Sequence, residues 1–412
     1  MSLSNRDMTI VIAIDHASVT GGQAKVALES ALGLKRAGFS PIVFAATAPV
    51  DPRLAAEGVE TICLDQPDLL GAANKLAAAV QGTWNSLAER KLGELLARLP
   101  KDRTIVHVHG WAKALSASIA RPIARSGLPA VYTMHEYFMF CPNGGFYNFQ
   151  QNHVCTLEPL STACWATHCD SRNYPFKLWR SLRHVVMQHI ARLPQIFGDF
   201  ILISDFQRSI VEHRLPSGAK VHNVSNPIDC EKLGRKPAPA SGDFLFVGRI
   251  SPEKGVTLFA EAARKAGVTA VFAGDGPALE SLQTRFPEAK FLGWQSPAEV
   301  KALMRAARVL AFPSLWYEGQ PLTVQEAKAM GTPVIVSDAC AGREEVEDGV
   351  TGLWFKSADV DSLAAALVRA GDDSLVAAMS RAAYDAFWAD PPTLQRHVER
   401  LGAVYAEILA RA

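Results

Sequence analysis

The chain has 412 residues, 49% of them apolar and 20% charged, and its 42 Lys and Arg nearly balance its 41 Asp and Glu at a net charge of +1. That is too long for one ordinary core and too neutral to call for a polyanion, so two globular domains and no nucleic-acid partner are expected. No apolar run reaches the roughly 20 residues a transmembrane helix needs. The polar start MSLSNRDM lacks the basic stretch and cleavage site of a signal peptide, so a cytoplasmic protein is expected.

Residues 8–14 (MTIVIAI) read as a strand, Thr20-Gly21-Gly22-Gln23 as a turn, and 23–37 as a helix ending at Gly38. A glycine pair between strand and helix lets a backbone approach a phosphate closely. It is not the G-x-G-x-x-G of a dinucleotide site, and no acidic residue ends the next strand, SPIVFAA. Further strands are expected at 59–64, 104–109, 129–134 and 199–203 with helices between them, the pattern of a parallel sheet covered on both faces. Ligands of such sheets sit beyond the carboxyl ends of the strands. That rule singles out His109 and His135, each alternatively a satisfied structural residue.

Residues 136–172 break the alternation with aromatics, Asn, His and Cys, and a loop this long is usually functional or stapled. Cys141, Cys155, Cys164 and Cys169 match no common zinc spacing, yet with His153 and His168 nearby they can supply a structural Zn²⁺ site. Unligated thiols are the alternative. Residues 176–193 (FKLWRSLRHVVMQHIARL) read as an amphipathic helix, with Phe176, Trp179, Leu182, Val186, Ile190 and Leu193 on one side. Lys177, Arg180, Arg183 and Arg192 carry its charge with no acid among them, which suits an anionic membrane surface. An ordinary domain helix with a solvated basic face is the alternative. A strand at 220–226 leads to the Pro/Gly/Ser-rich stretch 234–243, the best domain boundary.

A second alternating series places strands at 244–248, 269–274, 289–293, 309–313, 333–337 and 352–355. Each of the first five ends in a loop that carries a glycine: Gly248-Arg249 through Gly255, Gly274-Asp275-Gly276-Pro277, Gly293-Trp294, the stretch to Glu318-Gly319, and Ser337 through Gly342. Arg249 and Lys254 are the cations placed there to meet phosphates. Together they can neutralise a diphosphate, so no divalent cofactor is expected, and consistently no DxD pair follows a strand to hold one. In 310–335 an apolar strand stops at Pro313, a helix begins after Gly319-Gln320-Pro321, and Glu318 and Glu326 flank the turn. Free N–H groups between two carboxylates fit a ligand with both phosphate and hydroxyls, a nucleotide sugar. Merely solvated glutamates are the alternative. Helices at 359–370, 374–388 and 394–411 close the chain, the last able to cross back to the first domain.

Taken in order, FVGRISPEKG, AGDGP and the E-x7-E of YEGQPLTVQEAKAMGTPVI resemble the family 4 retaining glycosyltransferases, and TGGQAKVALESALGLKRAG resembles their glycine loop and first helix. TMHEYFMFCPNGGFYN and the Cys-bearing stretch resemble bacterial members that build capsular or extracellular polysaccharide. The resemblance implies a GT-B fold: α/β, with two facing Rossmann-like doubly wound parallel-sheet domains. These would span 1–228 (with the insertion 138–172) and 229–388, with a helix at 389–412 returning to the first.

It implies that Arg249 and Lys254 bind the donor diphosphate, that Glu318 meets the transferred sugar and that Glu326 meets the ribose. Gly21 and Gly22 would approach phosphates or acceptor, and His135 the donor sugar, with His109 as a second candidate. Gly293 and Trp294 would receive the base, and Gly274, Gly319, Gln320, Pro321, Leu322 and Thr323 would line the donor site. The usual E-G-F-G is here Glu318-Gly319-Gln320-Pro321, so one backbone N–H is missing from that turn. The implied partners are a UDP- or GDP-linked sugar and a glycan or polyprenyl-linked acceptor, with the enzyme at the inner membrane face. A sugar-nucleotide epimerase or hydrolase, and a non-catalytic sugar-nucleotide binder, are the competing functions.

Overall fold

The structure is a computed structural model that describes residues 8–69 and 74–411; the polar start up to Asp7 lies outside the described residues. Among the described residues, nine strands form in the first half: β1 (Thr9–His16), β2 (Ser40–Thr47), β3 (Glu60–Cys63), β4 (Thr104–Val108), β5 (Ala130–Thr133), β6 (Tyr147–Asn148), β7 (His153–Val154), β8 (Asp199–Leu202) and β9 (Lys220–Asn223). Seven of them make one sheet in the order β3-β2-β1-β4-β5-β8-β9, every pair parallel. β1 is buried along six of its eight residues, which is why it reads as a continuous apolar run: a parallel sheet has helices on both faces. The antiparallel pair β6-β7 lies in the Cys-bearing insertion.

The second half repeats the plan with β10 (Phe244–Val247), β11 (Ala270–Ala273), β12 (Lys290–Gly293), β13 (Val309–Phe312), β14 (Val334–Ser337) and β15 (Gly352–Phe355). Their order is β12-β11-β10-β13-β14-β15, again parallel throughout. In both sheets the order reverses beside the first strand, between β1 and β4 and between β10 and β13. A crevice opens at such a reversal, beyond the strands' carboxyl ends.

The final helix, Leu394–Leu409, packs on the first domain, as expected. Val398, Leu401, Val404, Tyr405 and Ile408 join the core beneath β1 and the helix Gly22–Arg36. Polar ties fix its register: Ser30 Oγ meets His397 Nε2 at 2.9 Å, and Tyr405 Oη meets His107 Nδ1 at 2.7 Å.

Residues 176–193 depart from expectation. The helix runs Tyr174–Val185 and continues as a π-helical turn over Val186–Ala191. Arg192, in the left-handed region at φ 53°, ends it. Its faces are reversed. Lys177, Ser181, His184 and Met187 are buried, while Leu178, Leu182 and Ile190 are exposed. Lys177, Arg180 and Arg183 turn inward because partners wait there, while Arg192 stays exposed. Lys177 Nζ donates to Cys164 Sγ at 3.3 Å, and Arg183 Nη2 to the Ala112 carbonyl at 2.7 Å. Arg180 pairs with the fully buried Asp170 at 3.2 Å. No solvated basic stripe remains on this helix to meet an anionic surface.

Candidate functional site

The two reversal points face each other across a cavity of about 190 Å³. Its first wall carries His16, Gly21, Gly22, Gln23, Lys113, His135 and Glu136; its second carries Glu318, Gly319, Gln320 and Leu322. One helix from each domain begins here, Gly22–Arg36 and Leu322–Ala329. Their first-turn N–H groups have no intrahelical acceptor, so both walls present anion-binding ends. A Cβ added at Gly21 or Gly22 would meet nothing within 4 Å. Packing does not demand these glycines; their effect is to leave the helix start bare for a ligand. A larger groove of about 740 Å³ runs between the helices Gly22–Arg36 and Leu394–Leu409, but none of the candidate site residues lines it.

Glu318 organises the second wall. Its Oε1 accepts three hydrogen bonds, from Lys254 Nζ at 2.5 Å, Trp316 Nε1 at 2.7 Å and Ser314 Oγ at 2.9 Å. Its Oε2 has no partner among the described residues and belongs to a residue that lines the cavity. One oxygen is saturated and the other is left to accept from a ligand. Lys254 reaches this point because Gly255 follows it at φ +70°, where a Cβ would collide with the Pro313 carbonyl. The 248–255 loop is thereby pressed against the end of β13.

Arg249 is exposed and makes no ion pair among the described residues. Gly274 holds the neighbouring loop at φ +145° against the Gly248 carbonyl. Gly293 and Trp294 lie away from the cavity, with Trp294 73% exposed. Thr323 does not line it either. Glu326 lies one turn into the helix, where burial raises its pKa above the ordinary carboxylate value and Lys25 and Lys301 oppose the rise. Gln320 turns to the linker, its Oε1 accepting the Asn226 N–H at 2.7 Å. Pro321 packs its ring toward Gly342. Gln320 thus serves the joint between the domains, while Pro321 packs within the second domain.

The first wall is backed by imidazoles. His135 Nε2 lies 3.0 Å from His109 Nδ1. The His109 ring is 4.0 Å from that of His107, centroid to centroid. His107 is closed off by Tyr405 Oη and by Thr133 Oγ1 at 2.6 Å. His109 is 1% exposed and does not reach the cavity, so it sits behind His135 and cannot touch the donor itself. Burial lowers the pKa of all three, that of His135 to about 3, so the column is neutral.

The sequence reading missed Glu136, Lys113 and Asp15. Glu136 lines the cavity beside His135, and burial pushes its carboxyl up to about 7 despite Lys113. Its signal was available, since it follows His135 at the end of β5. Asp15 accepts the N–H groups of Lys113, Ala114 and Leu115 at 2.8–2.9 Å, fixing the loop that carries Lys113. No local pattern announces that contact.

The Cys-bearing insertion holds its thiols among polar side chains. Among the described residues no three His, Cys, Asp or Glu stand where one ion could join them. Side chains lie among the sulfurs instead. Asn143 Oδ1 accepts from Cys141 Sγ at 3.1 Å, and its Nδ2 donates to Cys169 Sγ at 3.3 Å, while Lys177 holds Cys164. Cys141, Cys155, Cys164 and Cys169, the expected zinc ligands, form no such group among the described residues. The insertion presses instead on the second domain, with Phe149 6.2 Å from Trp316 and Tyr137 6.3 Å from Tyr317.

Comparison with known proteins places this geometry. Residues 235–386 match the family described as glycosyl transferases group 1, and residues 21–214 match the glycosyl transferase 4-like domain. An uncharacterized glycosyltransferase of Methanocaldococcus jannaschii is 31% identical over 308 residues, 71% of this chain and 72% of that one. The UDP-Gal:alpha-D-GlcNAc-diphosphoundecaprenol alpha-1,3-galactosyltransferase of Escherichia coli is 31% identical over 182 residues, 37% of this chain and 46% of that enzyme. A GDP-mannose-dependent alpha-mannosyltransferase of Mycolicibacterium smegmatis is 34% identical over 172 residues, 39% of this chain and 44% of its own length. The chain thus spans less than half the length of these two curated relatives. Among solved structures, Anabaena HepE in complex with UDP and glucose superposes with a TM-score of 0.66 over 97% of this chain and 100% of that one, at 17% identity.

Proposed function

The chain belongs to the group 1 glycosyltransferases, and from that premise we propose that it moves a sugar from a UDP- or GDP-linked donor to an acceptor hydroxyl with retention of configuration. The observation that carries the reading is Glu318. One of its oxygens is locked by Lys254, Ser314 and Trp316, and the other is free at the cavity. A carboxylate so oriented accepts sugar hydroxyls while its lysine stays at hand for the diphosphate.

The bond from the anomeric carbon to the diphosphate oxygen breaks, and its electron pair leaves on the diphosphate. Arg249 and Lys254 offset the charge that develops there, with no metal ion in this reading. Preorganised donors aimed at a developing anion contribute roughly 3–4 kcal/mol each. The new bond forms from the acceptor oxygen on the same face, and the proton of the acceptor hydroxyl passes to the departing diphosphate oxygen. His135 meets the donor sugar from the first wall, and Glu136 beside it can accept the hydrogen bond of the acceptor hydroxyl. Glu326, Gly293 and Trp294 hold the nucleoside end.

The acceptor in this reading is a glycan or polyprenyl-linked sugar at a membrane, in keeping with the diphosphoundecaprenol acceptor in the name of the E. coli relative. The surface offered to a bilayer is apolar rather than basic: Leu178, Leu182 and Ile190, beside Leu76 and Val80 of the adjacent helix Lys75–Thr83. No helix among the described residues is long and apolar enough to cross a membrane.

A thermal-shift screen of nucleotide sugars tests the donor assignment. A ligand at 100 times its Kd stabilises by about 2.7 kcal/mol, readily visible in melting temperature. Following the shifted donor with an acceptor panel separates the alternatives. Free sugar without transfer indicates a hydrolase, an altered donor an epimerase, and binding without turnover a sensor.

A further inference from the structure

We propose that His109 is a positioning residue that fixes the tautomer of His135, so that His135 presents an Nδ1–H donor to the cleft. The contact between them, His109 Nδ1 to His135 Nε2 at 3.0 Å, needs one proton and one lone pair. Both rings are neutral, so each carries a single N–H. Two arrangements satisfy the contact. In one, His135 Nε2–H donates, and His109 must then carry its own proton on Nε2. That atom is buried with no hydrogen-bond partner, so a donor N–H would be stranded in the core. In the other, His109 Nδ1–H donates, and only a bare lone pair is left at its Nε2. A stranded donor is the rarer and costlier defect. The second arrangement therefore holds, and it leaves His135 with a free Nδ1–H.

The surroundings keep His109 where this works. Its N–H donates to the Ala13 carbonyl at 2.9 Å, and its carbonyl accepts from Gln23 Nε2 at 2.5 Å. Its ring lies against that of His107, whose two nitrogens are already engaged. Gln23 is itself a lining residue of the cavity, so the clamp on His109 runs to the helix start that faces the ligand. His135 Nδ1 has no protein partner among the described residues. The ligand group it fits is a hydrogen-bond acceptor, an oxygen of the sugar or of its phosphate, and not a proton to be abstracted. That role for the ligand rests on the function proposed above; the tautomer does not.

The test reads the tautomer directly. In protein labelled with ¹⁵N-histidine, long-range ¹H–¹⁵N correlation tells a protonated ring nitrogen from a bare one, and a His135→Gln sample assigns the signals. Wild type is expected to show His135 protonated at Nδ1 and bare at Nε2. His109→Asn, whose amide can donate from nearly the Nδ1 position, should keep that form. His109→Ala should shift His135 toward the Nε2–H tautomer and lower kcat at least about tenfold, as wrong-tautomer variants do, while the donor KM changes little. His135 protonated at Nε2 in wild type, or an unchanged tautomer in His109→Ala, overturns the proposal. Should His109→Ala not fold, the wild-type spectrum decides alone. Because the spectrum needs no donor, it stands or falls separately from the glycosyl-transfer reading.

Discussion

The two walls of the cleft are built from the same fold and handle polarity in opposite ways. On the second wall, Lys254 and Glu318 form an ion pair at the cavity edge, with side chains 24% and 14% exposed. On the first, His135 at the surface and His109 and His107 behind it are neutral imidazoles, each held below its ordinary pKa by burial. Where the first domain does keep charges inside, as at Arg180 and Asp170, they are paired. Charge is cheap to hold where a ligand will later meet it and expensive in a core, where it survives only as structure. The charges of the second wall should therefore matter to turnover, and those beneath the first to stability.

The largest effect expected is at Arg180. Arg180→Ala strands the fully buried Asp170 and should cost about 3–5 kcal/mol in urea denaturation, while each molecule still folded keeps near-normal turnover. Lys254→Ala should do the reverse, lowering kcat by about 10²-fold or more with a melting temperature close to wild type. If the two phenotypes changed places, the contrast between the walls would be wrong. Glu318→Gln keeps an acceptor for Lys254 and Trp316 but replaces the free oxygen by an amide. A loss of roughly tenfold in kcat/KM, about 1.4 kcal/mol, is expected from steady-state assays.

The buried imidazoles set the pH behaviour of stability. Burial lowers His184 to about 3 and His397 to about 4. Below the ordinary histidine value near 6.5 the unfolded chain binds protons that the folded one does not, so stability falls as pH drops from there toward the folded values. Each such histidine contributes up to about 1.4 kcal/mol per pH unit over that window. Melting curves from pH 7.5 to 5 should show the decline, and His397→Gln should make it shallower. The smallest effect on stability concerns the outward face: Leu178→Ser with Leu182→Ser should change it by about 0.5 kcal/mol or less yet reduce co-sedimentation with lipid vesicles. Unchanged co-sedimentation removes the membrane role of that face.

These contrasts also mark where the sequence was readable. The strand-end loops of the second domain announced themselves because Gly248, Gly255 and Gly274 sit at backbone angles or close approaches that other residues resist. The cations Arg249 and Lys254 stand among them. The helix Tyr174–Val185 misled for a physical reason. Helical period defines two stripes but does not say which faces in. Lys177, Arg180 and Arg183 share a stripe, and apolar residues are the usual inward choice. Here thiols, a carbonyl and Asp170 lie inside, supplied by the insertion and by the Ala112 turn, both remote in sequence. The same remoteness hid Asp15, whose three N–H partners lie about 100 residues away. It also hid the placement of His109 behind His135, since a strand end places both residues at the cleft but does not rank them by depth.

Calorimetric titration of UDP and of GDP against wild type and Lys254→Ala tests the central claim most directly. The account predicts one-site binding of at least one of the two nucleotides by wild type, weakened about tenfold or more in the variant, the share of a charge-assisted contact to phosphate. Binding of neither nucleotide by wild type, or equal affinity in the two proteins, would contradict it.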